Sequence, residues 1–460
     1  MRLLDSRIPA LNGSPDETAL RRRALLVSGM GFFTDAYDLF VIGIVMSIVR
    51  PLWHVTQLQD SLVESTALLA SAFGALLFGR IADMIGRKRI YGFELLVLAF
   101  GAIGCALSPN IWWLLGLRFL LGVGVGGDYP ISATIMSEHA PAASRGMAVS
   151  LVFAMQAAGL IFSPLFATAL LAGHIAPTIL WRLLVGFGAV PALIVYPLRL
   201  KMRESDTFLK ASGCDEDSRG RVIRRPDFDE SLHSVSFWDG FHRLVNNKRL
   251  LTRLVGASLA WFLMDFAYYG NTVSSPLVLS ALGAESTLIR KTLTQLVIFV
   301  IFAAPGYVVA ILTMDRLGRK VIQNLGFALM AVSFAAMALI PGIEHMVAPF
   351  VVIYGISFFF TEFGPNSTTF VYPSEIFPIR VRSTGHGISA AMGKLGGFLG
   401  VFTFPYLMHA HGLRGAETAA AAVSVLGLIA TWALLPETKG ISLEELSGET
   451  GLHTERAKAA

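Results

Sequence analysis

Twelve apolar stretches, each about as long as a bilayer's hydrocarbon core is thick, recur along this chain from end to end. A helix needs about 20 apolar residues to cross that core. By that length the spans fall at 24–49, 61–82, 90–107, 111–137, 145–171, 178–200, 251–281, 292–312, 320–340, 347–373, 383–409 and 415–436. Hydrocarbon offers backbone N–H and C=O groups no water, so such runs cross as helices. Charged residues are 15% of the 460, against roughly a quarter in soluble domains. The expectation is an all-α membrane protein with twelve transmembrane helices.

Basic residues orient these spans. Arg21, Arg22, Arg23, Arg87, Lys88, Arg89, Arg145, Lys201, Arg203, Arg316, Arg319, Lys320, Arg380, Arg382 and Lys439 fall on one side. The other side carries little beyond Arg50, Arg182, Arg290, Lys291 and Arg414. By the positive-inside rule, both termini and the loop between spans six and seven are cytoplasmic. The residues up to Arg23 are polar with no early apolar core, so the first span is expected to act as the insertion signal, with no cleavable leader. The net charge of +5 is scattered in short clusters without interleaved aromatics, which excludes a nucleic-acid surface. Cys105 lies in an apolar run and Cys214 in a polar loop, so no disulfide framework is expected.

The second half repeats the first. Gly79–Arg89 (GRIADMIGRKR) is echoed by Met314–Lys320 (MDRLGRK), aligning Asp83 with Asp315 and Arg87 with Arg319. Glu138 and Arg145 recur as Glu375 and Arg382, and the sequence around Asp35 recurs around Asp265. The offsets run from 265 − 35 = 230 to 375 − 138 = 237 residues, in the same order. Parallel repeats of six spans with a site between them describe a rocker-type secondary transporter. The expected divisions are a tail (1–23), a six-helix bundle (24–200), a linker (201–250) with short interfacial helices, a second bundle (251–436) and a tail (437–460).

An ionisable group at the bilayer centre costs at least about 2.5–3.5 kcal/mol and needs a partner or a purpose. The candidates are Asp35, Asp38, Arg118, Asp128, Asp265 and Lys394, with Glu94 nearer a span end. Asp35, Asp128, Asp265 and Lys394 lie ten to fourteen residues from their span ends, about 15–21 Å deep at 1.5 Å per residue. Gln156 and Asn366 reach comparable depth. Structural ion pairing is the competing explanation, weakened by the convergence of polar residues from both halves. Arg118 and Asp128 stand about 15 Å apart on one helix, so each needs a partner on another span.

Gly122, Gly124 and Gly127 match the dinucleotide fingerprint G-x-G-x-x-G, but inside an apolar span, where close helix packing explains them. With no phosphate loop, zinc-ligand cluster or nucleophile elbow, neither enzyme activity, a cofactor nor a metal is expected. His386, just inside the eleventh span, is a secondary proton-carrier candidate. Asp83, Arg87, Glu138 and Arg145, with Asp315, Arg319, Glu375 and Arg382, border the spans on the basic side. They are expected to form ion pairs that close the cytoplasmic face and break when it opens.

The repeated loop motif and Pro436–Gly440 (PETKG) resemble the major facilitator superfamily, near its sugar-porter branch. Gly29–Phe40, Gly126–Glu138 (GGDYPISATIMSE), Trp261–Gly270 and Phe363–Glu375 resemble the phosphate:proton symporter family more closely. Ile131 departs from the Leu usual in that family's signature. The resemblance implies a phosphate pocket of Tyr129, Gln156, Trp261, Asp265, Tyr269 and Asn366. It implies proton-linked roles for Asp35, Asp38 and Asp128, with Arg118 and Glu94 as partners and Lys394 as a buried base. Neutral donors from Tyr, Trp, Asn and Gln suit an oxyanion, and a protonatable Asp265 beside it would link anion and proton binding. The partners so implied are inorganic phosphate, protons and a lipid bilayer: the plasma membrane, or the inner membrane in a bacterium. The alternatives are a sugar or organic-acid symporter and a non-transporting solute receptor.

Overall fold

The computed structural model describes residues 15–86, 90–140, 144–201, 209, 214–216, 222–224, 237–282, 287–378 and 381–441. Ten helices among them are long and apolar enough to cross a bilayer. They are Leu25–Trp53 (α1), Gln57–Met84 (α2), Ile111–Ser137 (α4), Arg145–Ala172 (α5), Pro177–Leu200 (α6), Lys248–Val273 (α7), Leu288–Leu317 (α8), Arg319–Leu339 (α9), Val347–Ile376 (α10) and the 53-residue Arg382–Leu434. Phe93–Leu107 (α3) is a shorter apolar helix between α2 and α4. Arg382–Leu434 is two spans in one: Gly412 sits at φ 64°, ψ −166° and bends it, so its arms on either side are α11 and α12. The count is therefore twelve.

Local chemistry sets the ends. Thr56 and Gln59 form a reciprocal capping box at the start of α2. Asn110 and Asn247 cap α4 and α7, each accepting two backbone N–H groups. The internal repeat is visible in the backbone itself. Gly86 ends α2 at φ 97°, ψ 152°, and Gly318 ends α8 at φ 97°, ψ 157°. Only glycine reaches that conformation cheaply, and both belong to the repeated Gly-Arg-Lys motif.

The seventh span differs from expectation. The sequence reads as one run over 251–281, whereas α7 stops at Val273 and a short helix, Ser275–Val278, and a 3-10 turn, Leu279–Leu282, follow. Pro276 cannot donate to the α7 ladder, which accounts for the break. In the linker, Cys214–Glu216 pairs antiparallel with Val222–Arg224, and Phe237–Asn246 forms a helix that exposes Trp238 and Phe241.

The outward surface is apolar, with Phe73, Phe100, Leu107, Val300, Val332, Leu339 and Trp432 all exposed, as lipid-facing helices require. Inside, α4 lies directly on α2: a Cβ at Gly122 would fall 2.2 Å from the Ala67 carbonyl oxygen. That accounts for the fingerprint-like glycines as packing contacts. Contacts between α2 and α11, α1 and α7, α4 and α10, and α5 and α8 join the two sets of six helices.

Candidate functional site

Trp261, Asp265 and Tyr269 recur every fourth residue on α7 and so share one face of it. That face meets Lys394 of α11 and Tyr129 of α4. Lys394 Nζ donates to Asp265 Oδ2 at 3.1 Å and to the Tyr269 hydroxyl at 2.8 Å. It also lies 4.3 Å from the Tyr129 ring centre and 4.5 Å from that of Tyr269, within cation–π range. The two hydroxyls stand 3.4 Å apart, and the Tyr129 and Trp261 rings are 6.2 Å apart. Asp265 Oδ1 has no hydrogen-bond partner.

Gln156 and Asn366, on opposite sets of helices, are joined through Tyr307 of α8. Asn366 Nδ2 donates to the Tyr307 hydroxyl at 2.9 Å, which donates to Gln156 Oε1 at 3.1 Å. Asn366 also donates to Glu362 Oε2. Backbone irregularities sit beside each of these residues. Ala154 interrupts α5 just before Gln156, a π-helical stretch Phe299–Ala303 precedes Tyr307, and Glu362–Asn366 is itself π-helical, kinked at Gly364. Such bulges frequently mark functional sites. Phe370, stacked on Phe153 at 4.5 Å, stands between this chain and the Trp261–Tyr129 pair. His386 places Nε2 3.1 Å from the Phe370 carbonyl oxygen and meets the Trp261 ring edge-on at 5.5 Å. The whole site is enclosed: Tyr129, Gln156, Trp261, Asp265, Tyr269, Asn366, Lys394 and Glu362 are at most 3% exposed.

The carboxylates of the first half fall into two groups, and Asp128 and Arg118 each find a partner on another span. Arg199, in the last turn of α6, donates to Asp128 Oδ2 at 2.6 Å and to Glu94 Oε1 at 2.5 Å, and lies over the Tyr91 ring at 4.1 Å. Ser132 also bonds Asp128. Gly31 leaves room for this pair, since a Cβ there would fall 1.9 Å from Asp128 Oδ2. Arg118 instead donates to the Asp38 backbone carbonyl at 2.8 Å. Asp35 lies within electrostatic reach of Asp128, Arg199, Asp38 and Lys394, yet neither of its oxygens has a hydrogen-bond partner.

Comparison with known proteins agrees with this architecture. A family model described as "Sugar (and other) transporter" matches residues 24–449. The chain belongs to the sugar (and other) transporter family. Inorganic phosphate transporter 1-2 of Oryza sativa subsp. japonica is 36% identical over 493 residues, covering 92% of this chain and 93% of its own. Probable inorganic phosphate transporter 1-6 of Arabidopsis thaliana is also 36% identical, covering 93% of each. Among solved structures, the major facilitator superfamily proton:xylose symporter XylE bound to 6-bromo-6-deoxy-D-glucose superposes with a TM-score of 0.74 at 22% identity, covering 94% of this chain and 99% of that one. Membership of that family, with its apolar membrane-length helices, makes the chain a multi-pass membrane transporter.

At the end of the transporter that carries the repeated motifs, the two halves hold each other in a matched way. Asp83, at the end of α2, accepts from Thr384 N at 2.6 Å and Thr384 Oγ1 at 2.7 Å, in the first turn of α11. Asp315, at the end of α8, accepts from Met147 N at 2.8 Å and Gly146 N at 3.2 Å, in the first turn of α5. The sequence reading expects ion pairs across this face. These crossing bonds run from carboxylate to helix N-terminus, where the helix dipole favours negative charge, and beside them Ser383 Oγ donates to Thr134 Oγ1 at 3.2 Å. Within the second half, Arg319 forms ion pairs with Glu375, at 2.6 and 3.1 Å, and with Asp315 at 2.9 Å, and Thr438 donates to Glu375. Arg382 donates to the Phe377 carbonyl, and Arg145 is buried at the start of α5. Arg87 and the Glu138 side chain lie outside the described residues.

Sequence reasoning omits Arg199, Tyr307 and Glu362. Glu362 carries a visible signal, an acid inside an apolar run. Arg199 reads as one more cytoplasmic basic residue, and Tyr307 as an ordinary aromatic.

Proposed function

We propose that this transporter imports inorganic phosphate by proton symport through alternating access, with 24–200 and 251–436 as the two rocking bundles. The observation that carries the reading is Lys394 held between Asp265 and Tyr269 in a buried cluster with Tyr129 and Trp261. The names of the curated relatives support the cargo.

The geometry supplies a coupling mechanism. A phosphate anion entering this cluster competes with Asp265 for Lys394. Protonation of Asp265 removes that competitor and turns the carboxyl into a donor toward a phosphate oxygen, so proton and anion favour each other's binding. Tyr129, Tyr269, Trp261, Gln156 and Asn366 then orient the anion with neutral donors. On the far side, loss of the proton restores the Asp265–Lys394 pair, which displaces phosphate. Asp35, with both oxygens buried and unpartnered, and Asp38 relay the proton. Arg199 holds Asp128 and Glu94, and Arg118 holds the backbone of α1 at Asp38. Asp83, Asp315, Arg319, Glu375, Arg145 and Arg382, with Arg87 and Glu138, brace the cytoplasmic face until it opens. Positive-inside charge placement supports cytoplasmic termini, and the membrane proposed is the plasma membrane, or the inner membrane in a bacterium. The chain carries its substrate and does not transform it.

The test is uptake of labelled phosphate into proteoliposomes with and without an inward proton gradient, competed by arsenate, sulfate and glucose. Acceleration by the gradient and inhibition by arsenate alone are expected. Inhibition by glucose, or no phosphate flux from folded protein, removes the assignment.

A further inference from the structure

A polar cavity lies far from the motif-bearing face. A cavity of ≈ 180 Å³ opens between the end of α1, the start of α8 and the break after α7, lined among others by Arg50, Glu64, Ser47, Ser274, Ser280 and Lys291. The direction of the helices places it: α8 runs from Lys291 at this end to Asp315 at the gate, and α1 reaches this end at Arg50.

Its lining is arranged as an anion site that lacks an anion's charge. Lys291 Nζ donates to Ser280 Oγ at 2.7 Å and makes no ion pair with a carboxylate among the described residues. Arg50, from the other half, approaches the same cavity and is itself paired with Asp60. Lys291 sits in the first turn of α8, whose helix dipole adds positive potential there. Ser274 lines the cavity too, 3% exposed, with its Oγ bonded to nothing. A buried hydroxyl without a partner costs free energy that a ligand oxygen would recover. Glu64, 5% exposed, is the discordant member, a carboxylate in a site of cations and hydroxyls. While ionised, it tolerates an anion beside it only if that anion brings a hydrogen to share. Monobasic phosphate has P–OH groups to donate, and sulfate has none.

We propose that this cavity is an outer docking site for a protonated oxyanion, monobasic phosphate, held by Lys291, Arg50 and Ser274 and screened by Glu64 before passage inward. The proposal rests on the phosphate reading of the central cluster. The two sites adjoin one helix: Ser274 stands at the C-cap of α7, five residues after Tyr269 and about 7.5 Å along the axis. An anion released here reaches the Lys394 cluster by moving along α7 as the halves part.

The experiment measures initial phosphate uptake against phosphate concentration and ionic strength for wild type, Lys291→Gln, Lys291→Arg and Glu64→Gln, with sulfate as competitor. Lys291→Gln is expected to raise KM about tenfold, the loss of one charge-assisted hydrogen bond, with kcat within about twofold. Its KM should no longer climb with salt as the wild-type value does. Lys291→Arg should restore the wild-type KM, and Glu64→Gln should admit sulfate as an inhibitor. Normal wild-type uptake with an unchanged KM in Lys291→Gln overturns the docking site alone. Absence of phosphate uptake by the wild type overturns the central assignment and this inference together.

Discussion

Lys394 Nζ lies 3.1 Å from Asp265 Oδ2 and 2.8 Å from the Tyr269 hydroxyl, so one cation is shared by a carboxylate and a phenol four residues apart on α7. Both charges are buried. Removing one member strands the other, at about 3–5 kcal/mol. Lys394→Gln should therefore lower thermal stability in detergent strongly. The double variant Lys394→Gln/Asp265→Asn should regain most of that loss while remaining inactive. A double variant as unstable as the single one would show that the pair is not what holds α7 to α11.

Asp265→Asn alone separates binding from coupling. The amide keeps the shape of the acid but cannot take up or release a proton, and Lys394 loses its ionic competitor. Phosphate–phosphate exchange across the liposome membrane should persist, while accumulation driven by a proton gradient should vanish. Full gradient-driven accumulation by this variant contradicts the proposed role.

Tyr307 connects Gln156 to Asn366, one from each half, through two hydrogen bonds. Tyr307→Phe deletes both while keeping the ring. At about 1 kcal/mol per neutral hydrogen bond, the KM for phosphate should rise about fivefold to thirtyfold with little change in kcat. Glu362→Ala, which removes Asn366's other partner, should act in the same direction, and Glu362→Gln should be milder. An unchanged KM in all three would detach this chain of residues from substrate binding.

At the gate, Asp83 binds the start of α11 and Asp315 the start of α5. A carboxylate at a helix N-terminus contributes about 0.3–1 kcal/mol. Asp83→Asn should thus raise the population open to the cytoplasm about twofold to fivefold. Single cysteines placed along the inner face, labelled from the cytoplasmic side, report this directly. Equal labelling rates in wild type and variant would exclude it.

Much of this molecule is legible in one dimension. Hydrocarbon thickness fixes a helix length, so the spans can be counted along the chain. The internal repeat aligns Asp83 with Asp315, and each is found ending the second helix of its half and binding the fifth helix of the other. Tyr129, Trp261, Asp265 and Tyr269, named together by the resemblance, lie side by side with Lys394 among them. What stays hidden depends on which way a side chain turns. Arg199 ends a span beside the linker, where a basic residue ordinarily reaches for the lipid headgroups, and only the packing of α3, α4 and α6 turns it inward. The gate contacts of Asp83 and Asp315 are invisible because three of their four donors are backbone N–H groups, which every residue but proline has. The end of α7 is a different case, since Pro276 marks the break in the sequence itself.

Arg199 makes the most demanding case for stability. Its guanidinium bonds Asp128 and Glu94 together, with all three side chains at most 1% exposed. Arg199→Gln leaves two buried carboxylates sharing a site without a cation, a loss of at least about 3–5 kcal/mol. The variant should fail to accumulate in the membrane, or unfold well below wild type. Arg199→Lys keeps one positive charge but cannot fork to two acids, so it should fall between the two. Gly31→Ala reaches the same cluster from α1, because its Cβ has no space beside Asp128 Oδ2. If the cluster is the common cause, combining Gly31→Ala with Arg199→Lys should cost less than the sum of the two losses, since each disturbs the same bonds. Strictly additive losses, measured by thermal unfolding, would mean that Gly31 acts through some other contact.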